Sequence, residues 1–273
     1  MIDKQGQVNK YRPIEIAEVQ AHLLSIAKEF DRVCSEHGIP YYMLGGSMLG
    51  AIRHKGFIPW DDDMDFGVPI EYYDELIGYL GKELHYPYRC CTCWNHPAVL
   101  YNYIKIEDMQ TCIDDPSISL PIDEKLGVNI DIFPLSLCKD RDRHISSIWR
   151  KKALMGYIFL DSTKVNYSRF IHLIKRVLRF ICGSPTFLQK RIGKELKNIE
   201  PGGYRGNILG RWKGKEIIPV EWYGKETRYL FEDITLLGLK EYDSYLSMLY
   251  GDYLSLPPVE KQKPHVSHTF SKL

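Results

Sequence analysis

The chain has 273 residues, of which 44% are hydrophobic and 26% charged, a composition typical of a globular chain long enough to bury a core. Its formal net charge is only +1, so no overall field favours a polyanion, and we expect no nucleic-acid partner. The charge is unevenly distributed, because residues 139–200 hold 15 Lys/Arg against 5 Asp/Glu. The sequence therefore predicts a basic segment within an otherwise acidic protein.

Targeting signals and disulfide patterns give no sign of export. The polar residues 1–10 lack the apolar core of a signal peptide, and the charge-free apolar run 153–160 is too short to span a bilayer. Seven cysteines show no paired spacing, which favours reduced thiols in a cytoplasmic protein. A zinc site at Cys90, Cys91 and Cys93 is the alternative, although C-C-x-C is not a usual zinc-knuckle spacing.

The first predicted elements lead into a glycine-rich stretch. Apolar residues recur at helical spacing over 14–37, which predicts an amphipathic helix that ends before Gly38. A short apolar strand is expected at 41–44. Gly45 and Gly46 then form a turn, and Ser47 is expected to cap a short helix. Such a turn before a helix can hold phosphate, because backbone N–H groups and the helix dipole point at the anion.

Four aspartates follow within five positions. On a strand over 63–68, alternation places Asp63 and Asp65 on one face, with Asp62 pointing the opposite way and Asp61 before the strand. Carboxylates are the hard oxygen ligands that Mg²⁺ or Mn²⁺ prefers. Two acids on one face beside a phosphate-binding turn therefore predict chemistry on a nucleotide diphosphate.

Two more charged residues lie on predicted strands beyond a helix over 71–84. Lys105 falls within the second of three strands expected at 86–93, 98–106 and 109–113, where it contacts phosphate or is a solvated edge residue. Asp131 sits among apolar neighbours on a further strand, where a lone charge is costly unless paired or bound to metal. Asp131 is either a third metal ligand, or it pairs with a lysine or caps a turn.

The last parts of the chain carry less specific signals. Residues 139–200 read as helices, and one of them carries Ile171, Ile174, Val177, Leu178 and Ile181 beside basic residues. Such a helix either lies on an anionic membrane surface or packs as a core helix with a solvated polar face. Short strands are expected near 207–209, 216–220 and 227–231, with 234–237 leading into a turn, and a helix over 242–250. The final segment, with His265 and His268, either folds back towards the site or is disordered.

The run from Gly45 to Asp65, G-G-S-M-L-G-A-I-R-H-K-G-F-I-P-W-D-D-D-M-D, closely resembles the signature of the LicD family of bacterial phosphocholine transferases, whose relatives include fukutin and fukutin-related protein. Y-I-K-I around Lys105, N-I-D-I-F-P around Asp131 and Y-G-D-Y-L-S-L-P-P near the end are further points of agreement. The resemblance implies an α+β fold, with a nucleotidyltransferase-like (polymerase-beta-like) mixed sheet flanked by helices and a helical basic insertion. We expect a catalytic core at 1–138, the basic helical segment at 139–203, and strands and a helix at 204–273 that complete the same domain.

The resemblance also implies an activity. A CDP-alcohol, most typically CDP-choline, would donate its phospho-alcohol group to a sugar hydroxyl of a glycan or lipid-linked glycan (lipopolysaccharide, teichoic acid or capsule), with Mg²⁺ or Mn²⁺ as cofactor and CMP as product. Asp63, Asp65 and Asp131 would hold the metal and form the catalytic set. Gly45, Gly46 and Ser47 would cradle the diphosphate, and Arg53 and Lys105 would offset its charge. Arg53 has the alternative of pairing with an acid of the aspartate run.

Three other functions fit parts of the pattern. A nucleotidyltransferase that moves NMP to a small acceptor uses the same metal clamp. A D-x-D glycosyltransferase shares the acids but leaves the glycine-serine turn unexplained. A calcium-binding module matches Asp61, Asp63 and Asp65 as loop positions 1, 3 and 5, but Phe66 stands at the glycine position and Tyr72 at the final glutamate.

Overall fold

A computed structural model describes residues 12–114, 120–121, 124–139, 143–160, 169–264 and 269–272. Its helices are α1 (Ile16–Glu36), α2 (Gly45–Arg53), α3 (Ile70–Glu83), α4 (Arg143–Phe159), α5 (Arg169–Cys182), α6 (Thr186–Lys197) and α7 (Tyr242–Tyr250). Its strands are β1 (Arg12–Pro13), β2 (Tyr42–Met43), β3 (Asp65–Pro69), β4 (Tyr88–Cys91), β5 (Ile104–Asp108), β6 (Thr111–Asp114), β7 (Asn129–Cys138), β8 (Tyr204–Asn207), β9 (Ile217–Pro219), β10 (Arg228–Phe231), β11 (Ile234–Leu237) and β12 (Thr269–Lys272).

The main sheet is mixed and has seven strands among the described residues. Its central path runs β2-β3-β7-β5-β4, in which β3 and β7 are parallel and the other neighbours antiparallel. The long strand β7 pairs with β5 along its first half and with β8 along its second half, and β9 continues from β8. The α+β class with a mixed sheet and flanking helices agrees with the sequence, whereas the nucleotidyltransferase-like topology stays a prediction.

Two smaller sheets lie outside this path. Strands β10 and β11 form an antiparallel hairpin. The sequence had predicted that residues 234–237 only lead into a turn, but they are a strand. Strand β12 pairs antiparallel with both β1 and β6, and therefore joins the two ends of the described chain. His265 and His268 lie outside the described residues.

Helix α1 packs the core behind the aspartate motif. The predicted apolar stripe is confirmed at six of its seven positions, since Leu23, Ile26, Ala27, Phe30, Val33 and Cys34 are buried. The seventh, Ile16, is half-buried, and Val19 is buried in addition. Phe30 lies at the centre of the stripe, with its ring centroid 4.9 Å from that of Tyr41 and 5.1 Å from that of Phe66. Because Phe66 directly follows Asp65, this aromatic cluster fixes the backbone that carries the acid.

Several element boundaries differ from the sequence prediction. The second predicted sheet strand, 98–106, begins only at Ile104, because residues 98–103 form turns and bends. Helix α7 matches the predicted range of 242–250, and α4, α5 and α6 account for the described part of the predicted helical segment. None of the helices in the described ranges is long and apolar enough to cross a membrane.

We expect Phe30→Ala to destabilise the fold by about 3–5 kcal/mol, because it leaves a cavity beneath Tyr41 and Phe66. Urea unfolding followed by circular dichroism measures the change. Phe187→Ala, at an exposed position on α6, is the matched control and should change the free energy of unfolding by less than about 0.5 kcal/mol. Equal effects of the two substitutions would contradict the central packing role of Phe30.

Candidate active site

A pocket of about 620 Å³ lies where α2, β3 and β7 meet the 207–216 segment and the chain that follows α7. Its walls hold more acid than base, with six carboxylates and three cationic groups. The charged lining residues are Asp61, Asp63, Asp65, Asp131, Glu216, Asp252, Arg53, Lys152 and Arg211. A pocket with such an excess of carboxylates attracts cations.

The N-terminus of α2 forms one wall of this pocket. Gly45 has a φ of +49°, which favours glycine, and its N–H donates to the Tyr245 hydroxyl at 3.0 Å. A methyl group at Gly46 would lie only 2.8 Å from an oxygen of Asp61. The first turn of a helix has N–H groups without helical acceptors, so this end of α2 suits an anion.

The prediction that Gly45 and Gly46 form a turn before the helix, with Ser47 as the helix N-cap, is wrong. The helix begins at Gly45 and Leu44 is its N-cap, so both glycines and Ser47 lie in the first helical turn. The Ser47 hydroxyl instead accepts a hydrogen bond from the Asp65 N–H at 2.8 Å. Ser47 therefore joins the glycine-rich helix to the first residue of β3.

Strand register brings two of the predicted acids side by side. Asp65 on β3 is directly opposite Asp131 on the parallel strand β7, and Asp131 is opposite Lys105 on β5. Residues in register on adjacent strands point to the same face of a sheet. Burial, with the nearby carboxylates of Asp63 and Asp131, raises the pKa of Asp65 well above its ordinary value.

Asp131 and Lys105 are also bonded to each other. The Lys105 ammonium donates to the Asp131 carboxylate and, at 2.9 Å, to the Asn129 side-chain oxygen. Lys105 lies on an interior strand and is mostly buried, so its alternative as a solvated edge residue is wrong. The lysine partner foreseen for Asp131 is present, and the same acid also lines the pocket.

The aspartate run is arranged differently from the predicted strand. Strand β3 begins at Asp65, so Asp63 lies in the preceding loop. The carboxylates of Asp61, Asp62 and Asp63 have oxygens within 4.8 Å of one another, as metal ligands do. The prediction that Asp62 points away from Asp63 is therefore wrong, because strand alternation does not apply in a loop.

Arg53 connects α2 to the later part of the chain. Its guanidinium donates to the backbone carbonyls of Tyr253 at 2.8 Å and Ser255 at 3.3 Å. Burial lowers its pKa, and the negative charge of Asp61 partly offsets that effect. The C-terminal segment therefore folds back over the site as far as Pro257, which lines the pocket.

Sequence reasoning missed the part of the pocket contributed by residues 152–216. Glu216 is buried and accepts a hydrogen bond from the Trp212 N–H at 2.8 Å; burial raises its pKa to about 7. Burial lowers the pKa of Lys152, whose ammonium donates to the Leu209 carbonyl and lies 5.1 Å from the Tyr101 ring centroid. These residues sit in ordinary sequence contexts, and no spacing or motif distinguishes them.

The cysteine-rich stretch forms a separate polar cluster. Cys91, His96 and Glu107 are buried and have candidate ligand atoms within 4.8 Å of one another. The Cys91 thiol donates to Glu107 at 3.1 Å, Glu107 also binds Arg89, and the His96 Nδ1 accepts the Ala98 N–H. The six cysteines with described side chains are free thiols, as predicted. Existing hydrogen bonds thus account for this cluster.

Comparison with known proteins shows which family the chain resembles. Residues 38–111 match the family model described as LicD/FKTN/FKRP, nucleotidyltransferase domain. The chain is 28% identical over 268 residues to the lipopolysaccharide cholinephosphotransferase LicD of Haemophilus influenzae, covering 93% of this chain and 97% of that protein. The chain therefore resembles LicD-family proteins, one of them along nearly its whole length. A shorter match, 53% identical over 34 residues, joins it to the human ribitol 5-phosphate transferase FKRP, covering 12% of this chain and 7% of that protein.

The family-model match covers only one side of the pocket. It includes α2, the aspartate run, Asp65 and Lys105, but it ends before Asp131, Lys152 and Glu216. An uncharacterised protein of Rickettsia typhi is 40% identical over a similarly short stretch of 72 residues, 26% of this chain and 22% of that protein.

Glu216 should give the fold a measurable pH dependence. Its pKa rises from 4.5 to about 7 on folding, so its contribution to stability is fully present below 4.5 and is lost as the pH rises through about 7. We expect Glu216→Gln, which cannot ionise, to exceed the parent protein in free energy of unfolding above neutral pH, by about 3 kcal/mol. Denaturant unfolding with a chelator present, measured from acid to mildly alkaline pH, tests this. Parallel stability curves would contradict it.

Proposed function

We propose that this protein is a LicD-type phosphotransferase that moves a phospho-alcohol group, with phosphocholine from CDP-choline as the first candidate, onto a sugar hydroxyl of a cell-surface glycan or its lipid-linked precursor. The observation that carries the proposal is the anion-binding end of α2 facing the in-register acids Asp65 and Asp131 in one pocket. The family match and the cholinephosphotransferase relative support the same reaction class.

The donor set of the pocket fits a divalent cation. Carboxylate oxygens are the ligands that Mg²⁺ and Mn²⁺ prefer, and the raised pKa of Asp65 reflects crowded negative charge that a cation would relieve. Asp63, Asp65 and Asp131 are the proposed ligands. Among the described residues, the carboxylates whose oxygens lie within 4.8 Å of one another as a group of three are those of Asp61, Asp62 and Asp63, so Asp61 and Asp62 are further candidate ligands. A divalent ion held there would neutralise charge on the diphosphate oxygens during transfer.

The protein groups around these acids have distinct proposed roles. The N–H groups at Gly46 and Ser47 bind oxygens of the CDP diphosphate. Lys105 and Arg53 offset negative charge, although Arg53 also fixes the C-terminal segment through its carbonyl contacts. The acceptor hydroxyl attacks the phosphorus that carries the alcohol, the bond from that phosphorus to the bridging oxygen breaks, and CMP leaves.

The proton of the attacking hydroxyl passes to a carboxylate of the pocket. Asp131 is the proposed acceptor. Its carboxylate accepts a hydrogen bond from Lys105 and lies in register with Asp65 in the pocket. Glu216 is the second candidate, because a pKa of about 7 suits proton transfer near neutral pH. Turnover measured against pH for Glu216→Gln separates them: survival of turnover favours Asp131, and its loss favours Glu216.

The aromatic residues of the pocket bear on which alcohol the donor carries. A quaternary ammonium binds the faces of aromatic rings, and several line the pocket. Lysine ammonium groups already lie 5.1 Å from the Tyr101 ring centroid and 5.4 Å from that of Tyr103. The Lys215 ammonium likewise lies 5.7 Å from the Trp212 ring centroid. The other aromatic lining residues are candidate contacts for choline: Trp60, Phe133, Tyr245, Tyr250 and Tyr253. CDP-linked ribitol, glycerol and ethanolamine are the compounds to compare with CDP-choline.

We expect Asp63→Asn and Asp65→Asn each to lower turnover by more than about 100-fold, since loss of even an outer partner of a metal ligand costs about 10- to 100-fold. Release of CMP from CDP-choline in the presence of a glycan extract is the measurement. Asp65→Asn should also melt no lower than the parent protein, because it removes a buried charge that is crowded by other acids. Asp233→Asn, at an exposed ion pair with Lys28, is the matched control. Near-normal turnover in either active-site variant would remove the metal site from the proposal.

Ligand-dependent melting discriminates the rival functions. We expect CDP-choline to raise the melting temperature only when Mg²⁺ or Mn²⁺ is present, because the diphosphate and the ion share the site. UDP-sugars and ATP serve as comparisons for a glycosyltransferase and a nucleotidyltransferase. Stabilisation by Ca²⁺ alone, with no effect of any nucleotide, would favour a calcium-binding module over an enzyme.

A further inference from the structure

Helix α5 exposes a continuous apolar stripe. Five large hydrophobic side chains follow one another at helical spacing along its outer side. Their exposed fractions are Phe170 70%, Leu173 57%, Val177 47%, Phe180 89% and Ile181 71%. Residues spaced by three and four positions share one face of a helix, so these side chains form a single strip.

The opposite side of α5 is attached to the protein by cations. The Lys175 ammonium is almost fully buried and donates to the Leu160 carbonyl at 2.8 Å. The Arg179 guanidinium donates to the Ile158 carbonyl at 2.6 Å. Carbonyls at the end of a helix lack helical donors, so these two cations satisfy the C-terminal end of α4.

A surface helix usually turns its apolar side to the core and its charges to water. In α5 only part of the apolar side does so, because Ile171, Ile174 and Leu178 are half-buried whereas the five stripe residues are exposed. A core helix with a solvated polar face, the alternative that the sequence left open, does not account for those five side chains. The inward cations hold the apolar stripe outward, and a strip of this kind implies a binding surface.

Charge identifies what covers the stripe. Residues 139–200 have a net charge of +10, and Arg176 lies exposed beside Val177. A second copy of this chain would bring the same positive segment against itself. An anionic lipid surface supplies both the opposite charge and an apolar layer for Phe and Leu side chains.

We propose that α5 docks this protein on the surface of an anionic lipid bilayer, with the Phe170–Ile181 stripe in the interface and Arg176 at the headgroups. The helix has 14 residues and is about 21 Å long, which suits a helix lying in the membrane plane. The proposal does not depend on the catalytic reaction. It would, however, place a lipid-linked acceptor close to the pocket, because Lys152 and Ile158 are about 9 Å apart along α4.

Vesicle flotation of the full chain tests the proposal directly. We expect the protein to float with vesicles of phosphatidylcholine and phosphatidylglycerol at low salt and to remain unbound with phosphatidylcholine alone. Raising the salt concentration should weaken the binding, because it screens the attraction between basic side chains and anionic headgroups. Failure to float with anionic vesicles at low salt would overturn the proposal.

Substitutions within the stripe distinguish docking through α5 from non-specific adsorption to vesicles. Leu173→Ser combined with Phe180→Ser should lower partition into anionic vesicles by at least about tenfold, because both side chains leave the apolar layer. Leu230→Ser, at an exposed leucine of β10, is the matched control and should leave partition unchanged. Equal partition of the two variants would overturn the role of the stripe.

A charge reversal tests the second half of the argument. Arg176→Glu should weaken binding to anionic vesicles by about tenfold at low salt, whereas Lys82→Glu on the exposed side of α3 should have little effect. Circular dichroism should show an unchanged fold, because Arg176, Leu173 and Phe180 are exposed.

Light scattering, which measures the oligomeric state, tests the alternative that a second copy of the chain covers α5. The proposal would be overturned if the protein were a dimer that the stripe substitutions dissociate and if it did not bind vesicles.

Discussion

The parallel pairing of β3 with β7 is the constraint on which the site depends. Its register sets Asp65 opposite Asp131, and no small adjustment can separate them, because a one-residue shift would turn every side chain of β3 to the other face. Two half-buried carboxylates on neighbouring strands repel each other and lose part of their hydration. Lys105 offsets part of this cost at Asp131. Asp65 is less well compensated, as its raised pKa shows.

This unrelieved charge gives the pocket its chemical character. The Ser47 hydroxyl and the aromatic cluster of Phe30, Tyr41 and Phe66 hold the β3 backbone in place, so packing opposes the electrostatic repulsion. A site of this type is less stable when empty than an apolar one would be. It gains the most from a cation, because binding relieves repulsion that the fold already contains. The same carboxylates that would serve the proposed function therefore lower the free energy of unfolding.

Two distant parts of the chain build the pocket. The Gly45 N–H donates to Tyr245 on α7, and Arg53 donates to carbonyls in the segment after α7. The motif-bearing part supplies the acids and the anion-binding helix end. The later part supplies Glu216 and most of the opposite wall. The site therefore depends on contacts between parts of the chain that are about 200 positions apart.

The sequence predicted what local patterns encode. The stripe of α1, the range of α7 and the acids of the motif follow from periodicity and composition. The pairing of β3 with β7 joins residues 66 positions apart, and the contact of Arg53 with Tyr253 is set by how the chain returns, so neither has a local signal. Ser47 was misplaced because its hydroxyl serves a distant N–H on β3, whereas capping rules consider only the helix itself. Glu216 was missed because an isolated glutamate shows its burial only after folding.

Helix α5 shows how tertiary contacts decide what an amphipathic pattern means. Its periodicity is the same whether the apolar side faces the core or the solvent, so the sequence cannot give the direction. The direction is set by two carbonyls at the end of α4 that accept from Lys175 and Arg179. Burying a cation is costly unless it is hydrogen-bonded, and both side chains meet that condition here. These bonds place Lys175 and Arg179 on the side of α5 that contacts the end of α4, and the Phe170–Ile181 stripe lies on the exposed side.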